Sequence, residues 1–317
     1  MRIFKVIDLF CGAGGFSRGF KDAGFEIVLG IDNFRPAALT FSKNFPEAKV
    51  IVEDVKNIRG EDLEALVGTP DVIIGGPPCE PYTGANPRRK KDPLDRLYVD
   101  PMGMLVLHYI RLVGDLQPRF FVMENVPGIM ENGLQEAIRN ELARVGYKEI
   151  YFNKLYAEDY CTPSHRLRVF IANIKLKPRK CKRRIPVIEA IGDLPEPGSA
   201  RIPNHEPVPL PRRKLKKISK LKWGEALIKY RGAKRLHGNF IRLHPYRIAP
   251  TVMGSSRFIH PFEDRLLTVR EHARLMGFPD DHIFLGGRDI QFNEVGEAVP
   301  VPLARSIARE ILRNLES

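Results

Sequence analysis

The stretch GGPPCEPYTG, residues 75–84, holds one cysteine among prolines at the end of a run of strand-forming residues. Cys79 follows Pro77 and Pro78 and precedes Pro81 by two positions, so its neighbours do not form the apolar face of a core element. Proline fixes the backbone and removes amide donors, which holds a neighbouring residue still. A cysteine that is reachable and rigidly held can be a nucleophile once it is a thiolate. The alternative is a buried thiol that packs as a small hydrophobic residue.

Acidic and basic side chains recur at later strand ends. Glu124 ends the run RFFVME, while Arg166 and Arg168 stand at the start of the run RVFIAN. A carboxylate beside the cysteine could act as an acid or as a hydrogen-bond partner. A helix-capping or ion-paired carboxylate is the structural alternative. For the two arginines, the alternative is an ordinary ion pair at a sheet edge.

The turn CGAGGFS, residues 11–17, follows the first predicted strand and precedes a predicted helix. Glycine lets a backbone turn tightly there and approach a ligand closely. Asp32 ends the second strand 20 residues after Gly12, a spacing that suits a carboxylate bound to ribose hydroxyls. Ser17 replaces the third glycine of the dinucleotide fingerprint, so the glycines alone would also fit a plain turn. With Asp54 at the end of the third strand, the residues favour a nucleoside-bearing cofactor.

Short β-rich runs alternate with helical patterns over the first ~175 residues, which predicts a doubly wound α/β fold with a mostly parallel sheet. Parallel strands bring their carboxyl ends, where Cys79, Glu124, Asp32 and Asp54 occur, to one edge of the sheet. The strands are predicted over residues 3–9, 25–31, 49–53, 71–76, 119–124, 147–153 and 168–173.

The pattern changes near residue 175 and returns near residue 268. The intervening residues are rich in proline and basic side chains and contain few candidate strands. Thr268 and Glu271 form a capping-box signature for a helix, and a terminal amphipathic helix with proline at its start follows. We therefore predict an α/β domain from residues 1–174 plus 268–317 and a smaller, loop-rich domain at 175–267.

The positive charge is concentrated in a basic segment, residues 175–245. It contains 20 Lys and Arg against five Asp and Glu, whereas the rest of the chain contains 31 and 33. Such localised charge is typical of proteins that bind the phosphate backbone of nucleic acids. The alternative is the charged surface of a thermostable protein, which the presence of only three glutamines also suits.

The four cysteines, Cys11, Cys79, Cys161 and Cys181, form no CxxC pair and no zinc-binding pattern, so we expect no metal site. No signal peptide or membrane span is evident. We therefore expect a cytoplasmic protein in which structural disulfides are absent and cysteines act singly.

These motifs, in this order, resemble the cytosine carbon-5 DNA methyltransferases of the restriction-modification type. The loop GGPPCEPYT followed by ENVPG is the most specific part, and the basic segment lies outside the resemblance. The other matching stretches are DLFCGAGGF, HRLRVFIAN, LTVREHARLMGFPD and FNEVGEAVPVPLARSIA. The resemblance implies a Rossmann-like fold that binds S-adenosylmethionine. It also implies that residues 1–174 plus 268–317 form the catalytic domain and that residues 175–267 form the target-recognition domain.

The resemblance also implies catalytic roles. Cys79 would add to carbon 6 of a cytosine flipped out of duplex DNA, which makes carbon 5 nucleophilic toward the methyl group. Glu124 would hold the ring nitrogen 3 edge and the exocyclic amine, and Arg166 would contact the base carbonyl. Arg168 would help to set the loop and the site.

For the cofactor, the family pattern puts Phe10 against adenine and the glycine turn at the methionine end, with Asp32 on ribose and Asp54 on the adenine amine. The residues that the resemblance assigns to cofactor binding are Phe10, Cys11, Gly12, Gly14, Gly15, Asp32, Asn33, Asp54, Val55, Pro78, Leu105, Glu297 and Ala298.

Two motifs depart from the family pattern. Ser164 and His165 precede Arg166 where the arginine motif usually starts with glutamine, and Glu297 replaces the asparagine of GNAVP. The expected partners are specific double-stranded DNA and a cognate restriction endonuclease, with the chain acting as a monomer and no membrane involved. The same chemistry on a cytosine in transfer RNA is the alternative, although the CFT-like signature of that branch is absent.

Overall fold

A seven-stranded sheet forms the centre of the molecule in the computed structural model, which describes residues 2–199, 201–231 and 236–317. Its strand order is β3-β2-β1-β4-β5-β7-β6, with all strands parallel except β7, so the prediction of a mostly parallel α/β fold is confirmed. The strands are β1 (Lys5–Leu9), β2 (Glu26–Ile31), β3 (Lys49–Ile51), β4 (Val72–Gly75), β5 (Phe120–Asn125), β6 (Tyr151–Tyr156) and β7 (Leu167–Ala172).

Helices cover both faces of this sheet. Successive residues of a strand point to opposite faces, so Ile7 and Ile73 join one core while their neighbours Val6 and Ile74 join another. Both faces are therefore apolar, as buried parallel strands require. The helices are α1 (Gly15–Lys21), α2 (Arg35–Asn44), α3 (Gly60–Val67), α4 (Pro93–Tyr98), α5 (Leu105–Leu116), α6 (Leu134–Arg144), α7 (Val187–Ile191), α8 (Arg212–Ile218), α9 (Val269–Leu275), α10 (Arg288–Glu297) and α11 (Val301–Glu316).

The strand order reverses at β1, which pairs with β2 on one side and with β4 on the other. Ligands of open α/β sheets bind at the carboxyl ends of the strands beside such a reversal. Because β7 runs antiparallel to β5, its amino end lies at the same edge, and Asn125 of β5 pairs with Val169. The sheet thus brings the loops after β1 and β4, the end of β5 and the arginine motif together.

The predicted recognition region, residues 175–267, contains the short helices α7 and α8 and a hairpin of β8 (Ala226–Arg231) and β9 (Leu236–Ile241). We predicted few strands there, and the hairpin has only a small apolar cluster beneath it. The buried Arg242 connects the segments around this cluster, because its guanidinium donates hydrogen bonds to the carbonyl oxygens of Ile218, His260 and Glu263. Residues 200 and 232–235 of this region lie outside the described residues.

Three local predictions can be compared directly. The capping box is confirmed, since Thr268 Oγ1 accepts from Glu271 N and the Glu271 carboxylate accepts from Thr268 N. The terminal helix is confirmed as α11 with proline in its first turn. The sixth strand begins at Tyr151, four residues later than predicted, and residues 147–150 connect it to the end of α6, where Gly146 has a φ of 103°.

The expectation that cysteines act singly is wrong for Cys161 and Cys181, which form a disulfide with a Cα–Cα distance of 5.7 Å. The cause is the close approach of the basic segment to the turn before β7. Cys181 N donates to Asp159 O at 2.9 Å, and Lys180 Nζ lies 2.8 Å from the Asp159 carboxylate. Over the described ranges, no helix is long and apolar enough to cross a membrane.

Candidate active site

Cys79 lies in a tight turn after β4. Its carbonyl oxygen accepts hydrogen bonds from Tyr82 N at 3.0 Å and Thr83 N at 2.9 Å, and its side chain is half-buried. The buried Tyr82 hydroxyl donates to Gly103 O at 2.9 Å. Gly75 permits the approach to this turn, because a Cβ there would lie 2.3 Å from Leu9 O. The turn therefore holds the thiol in one place, as its prolines predict.

The pKa of the Cys79 thiol is raised to about 11, chiefly by burial, and the carboxylates of Glu124 and Glu80 contribute to the rise. The guanidinium groups of Arg168 and Arg166 act in the opposite direction. The free enzyme at neutral pH therefore holds Cys79 chiefly as the thiol, and the two arginines are the groups that favour its thiolate.

Glu124 is buried beside the cysteine turn. Arg168 Nε lies 2.8 Å from Glu124 Oε1, and a Cβ on Gly76 would lie 3.4 Å from Glu124 Oε2. The next residue, Asn125, donates from Nδ2 to Pro77 O at 3.2 Å, which ties the end of β5 to the turn. The pairing with Arg168 satisfies a carboxylate that would otherwise be costly to bury.

Arg166 is 2% exposed and is held by main-chain oxygens. Its Nη1 donates to Val252 O at 2.8 Å and to Gly296 O at 3.0 Å. Burial, with a smaller effect of Arg168, lowers its pKa to about 9. Among the described residues, Arg166 Nε has no hydrogen-bond partner, so this donor is available to a ligand.

The sequence did not identify the two carbonyl groups that hold Arg166. Val252 gives no signal, because any residue has a carbonyl group. For Gly296, the glycine itself was a signal, because a Cβ at this position would lie 2.1 Å from Gly254 N and from Met253 C. Only glycine allows this approach of two backbones, and it places both carbonyl oxygens on the guanidinium.

The glycine turn after β1 has an unusual backbone. Phe10, Gly12 and Gly14 have φ values of 65°, 51° and 87°, and the first is rare for a residue with a side chain. Asp32 fixes the turn, since its carboxylate accepts from Gly12 N and from Phe34 N, both at 2.8 Å. A Cβ on Gly12 would meet nothing within 4 Å, so no described residue packs against this glycine.

The remaining predicted cofactor residues differ in burial and contacts. Cys11 is buried, and its N donates to Ile31 O at 2.9 Å. A Cβ on Gly15 would lie 3.0 Å from the Ala298 Cβ, which places Glu297 and Ala298 beside the turn. Asp54 caps the turn Val55–Asn57 by accepting a hydrogen bond from Lys56 N. Val55 and Leu105 belong to one core cluster, and Phe10 packs against it. Pro78 is half-buried and Asn33 is exposed.

Acidic groups dominate the surroundings of the turn. Burial raises the pKa of Asp8 to about 7 and of Glu294 to about 8, and it also raises those of Asp32 and Glu297. Asp8 accepts from Ser17 Oγ at 2.5 Å, which explains the serine at the third glycine position. Sequence reasoning missed Asp8 and Glu294, although the serine was a signal for the former. A positively charged ligand beside these carboxyl groups would favour their ionised forms.

The electrostatics of Cys79 give a testable expectation. Its alkylation by iodoacetamide should accelerate about tenfold per pH unit between pH 7 and 10, because a raised pKa keeps the thiolate scarce in this range. Glu124→Gln should speed alkylation at pH 8 by removing a negative neighbour, and Arg168→Gln should slow it. Peptide mass spectrometry distinguishes Cys79 from the buried Cys11. Equal rates in the two variants would contradict the assigned neighbours.

Comparison with known proteins identifies the family. A model of the family described as C-5 cytosine-specific DNA methylase matches residues 4–313. The chain belongs to this family. It is therefore a DNA (cytosine-5) methyltransferase that depends on S-adenosylmethionine, and because the family acts on DNA, the transfer RNA alternative is not favoured.

Similar proteins come from archaea and bacteria. M.MJ0563P of Methanocaldococcus jannaschii, whose name places it among type II methyltransferases, is 51% identical over 317 residues, covering 98% of this chain and all of the relative. The type II methyltransferase M.DdeI of Desulfomicrobium norvegicum is 34% identical over 374 residues, covering 97% and 88%.

Solved structures agree with the fold of the methyltransferase. A DNA modification methyltransferase encoded within an E. coli prophage superposes with a TM-score of 0.80 at 26% identity, over 99% of this chain and all of the other. The S. pombe Dnmt2 methyltransferase has a TM-score of 0.71 over the full length of both chains, and at 17% identity it supports the fold alone.

Proposed function

We propose that this methyltransferase modifies a flipped-out cytosine in a specific double-stranded DNA sequence through a covalent adduct with Cys79. The observation that carries this proposal is the convergence of Cys79, Glu124, Arg166 and Arg168 at one sheet edge, with Arg168 paired to Glu124 at 2.8 Å. A nucleophile, an acid and two cations at one edge suit addition to an electron-poor ring.

In the proposed reaction, the Cys79 thiolate forms a bond to carbon 6 of cytosine, and electron density moves to carbon 5. Glu124 would hold the nitrogen 3 edge and the exocyclic amine, which stabilises the charge that develops during the attack. The free Arg166 Nε faces the base carbonyl. After carbon 5 accepts a methyl group, it loses its proton to a base, the bond to sulfur breaks and Cys79 is released with 5-methylcytosine.

S-adenosylmethionine would supply an electrophilic methyl group on a positively charged sulfur, and the electron pair of the broken bond would stay on the sulfur of the product, S-adenosylhomocysteine. Gly12, against which no described residue packs, and the acidic groups around it fit a ligand with this positive charge. Asp32 would bind the ribose, Asp54 the adenine amine and Phe10 the adenine ring, while Glu297 and Ala298 would close the methionine end. The other cofactor residues predicted from the sequence would complete this site.

Residues 175–267 would form the target-recognition domain, and the catalytic domain would comprise residues 1–174 and 268–317. Exposed cations support this division: α8 alone presents Arg212, Arg213, Lys216 and Lys217 to solvent. Phosphate contacts there would position the duplex while other side chains read bases. The names of the type II relatives support a further proposal, that a restriction endonuclease acts on the same site.

The test has two steps. Purified protein should transfer labelled methyl groups from S-adenosylmethionine to duplex DNA, and bisulfite sequencing of DNA from an expressing host should give one recurrent sequence context. Methylation in transfer RNA with unmodified DNA would refute the proposed substrate.

A further inference from the structure

His165 is an exposed side chain directly beside the buried Arg166, and the proposed reaction leaves it unused. Its side chain is 51% exposed, whereas that of its partner Glu158 is 2% exposed. His165 Nδ1 is hydrogen-bonded to Glu158 Oε1. A buried carboxylate at the arginine motif thus fixes an imidazole that faces solvent.

The backbone of His165 is fixed as well. Its N donates to Ala249 O at 2.8 Å, and its carbonyl oxygen accepts from Thr251 Oγ1 at 2.7 Å. The ring of Tyr156 lies with its centroid 5.9 Å from that of the imidazole. An exposed side chain that is held at the backbone, at one ring nitrogen and along the ring loses little conformational freedom when it binds a ligand.

The hydrogen bond to Glu158 determines which ring nitrogen can meet a ligand. A carboxylate only accepts hydrogen bonds, so Nδ1 carries hydrogen and Nε2 is the outward nitrogen. The second Glu158 oxygen accepts from Arg166 N at 3.2 Å. The Arg166 guanidinium is directed to Val252 O and Gly296 O, so His165 is the basic side chain that contacts the buried Glu158 carboxylate.

We propose that His165 Nε2 donates a hydrogen bond to a DNA backbone phosphate beside the target cytosine, with Glu158 as the positioning residue. This inference rests on the proposed function. When a base is flipped into a pocket, its phosphates stay at the pocket mouth. Arg166 contributes to that pocket, and the residue before it along the chain is the exposed His165. An imidazolium supported by a carboxylate matches the charge and the acceptors of a phosphate.

Methylphosphonate scanning tests the proposal, because it removes the charge of one phosphate at a time. With wild-type protein, neutralising one phosphate next to the target cytosine should weaken DNA binding about tenfold, the usual effect of losing a charged hydrogen bond. His165→Ala should bind native DNA about tenfold more weakly and should lose no further affinity at that phosphate. His165→Lys should restore both the affinity and the sensitivity.

The salt dependence of DNA binding provides a second measurement, which would not change if His165 had a purely structural role. The slope of log affinity against log salt should become shallower by about 0.9 in His165→Ala, as expected when the protein neutralises one phosphate fewer. Glu158→Gln, which keeps the volume and removes the charge, should weaken binding with the same loss of phosphate sensitivity. S-adenosylmethionine affinity, measured by calorimetry, should stay unchanged in all three variants.

Two outcomes would overturn the proposal: an unchanged salt slope in His165→Ala, or equal sensitivity of wild-type protein and His165→Ala to every methylphosphonate. If His165→Ala does not fold, His165→Lys and His165→Gln carry the same comparison, since only lysine retains the charge. A wild-type protein that methylates duplex DNA but responds to no phosphate beside the cytosine would refute this inference alone. A wild-type protein inactive on DNA would refute the proposed function and this inference with it.

Discussion

Replacement of Cys79 by alanine is expected to reduce methyl transfer to duplex DNA by about four orders of magnitude or more, the scale seen when a covalent nucleophile is removed. Carbon 5 of cytosine is a weak nucleophile until a group adds at carbon 6. The other side chains at the sheet edge, Glu124 and Arg166, can orient the base and stabilise charge but cannot form that bond. Labelled methyl transfer at saturating DNA measures the effect.

DNA that contains 5-fluorocytosine at the target position gives the control. Fluorine cannot leave as a cation, so the adduct should persist and run as a protein–DNA band on a denaturing gel with wild-type protein. Cys79→Ala should give no such band. The variant should retain its melting temperature, because the thiol is half-buried and alanine fits its space. Substantial methyl transfer by the alanine variant would exclude the covalent mechanism.

Binding to duplex DNA is expected to weaken by about 10³ to 10⁵ between 50 and 200 mM salt, the range for six to ten phosphate contacts. The physical reason is the release of counterions when cations of the basic segment replace them along the backbone. The segment carries a local balance of 20 basic to five acidic residues. Fluorescence anisotropy of a labelled duplex across a salt series measures the slope.

Variants locate the charge responsible. Changing Arg213, Lys216 and Lys217 of α8 together to glutamine should make the slope shallower by about 0.9 for each phosphate that these side chains neutralise in the wild type. Arg309→Gln removes one exposed cation of α11, on the helical layer behind the sheet, and should leave the slope as it is. A flat salt dependence in the wild type would mean that the basic segment does not bind phosphates.

The sequence predicted the sheet because its strands are short, apolar on both faces and separated by helical periods. It also predicted that Cys79 and Glu124 would meet, because parallel strands align their carboxyl ends. Arg166 and Arg168 lie at the same edge for a different reason: β7 is antiparallel to β5, so the amino end of β7 lies beside the carboxyl end of β5. The order of the strands along the chain and their directions are together sufficient to place these four residues at one edge of the sheet.

Other interactions of the site depend on tertiary packing that leaves no local pattern. The oxygens that hold Arg166 belong to the main chain of Val252 and Gly296, more than 80 residues away. The hairpin β8–β9 was missed because its exposed strand residues, among them Lys229 and Arg231, lack the alternation of a half-buried strand. The disulfide was not predicted because we expected a cytoplasmic protein, in which structural disulfides are rare, and the sequence does not show that the two cysteines lie close together.

The disulfide between Cys161 and Cys181 makes a closed ring of the chain between them, and β7 with both arginines of its motif lies inside that ring. A protease that cuts once within the ring cannot separate the two halves of the molecule, since the sulfur bond still joins them. Arg166 and Arg168 would remain attached to both the sheet and the basic segment after such a cut. The ring therefore protects the connection between the two parts of the enzyme against a single break in the chain that joins them.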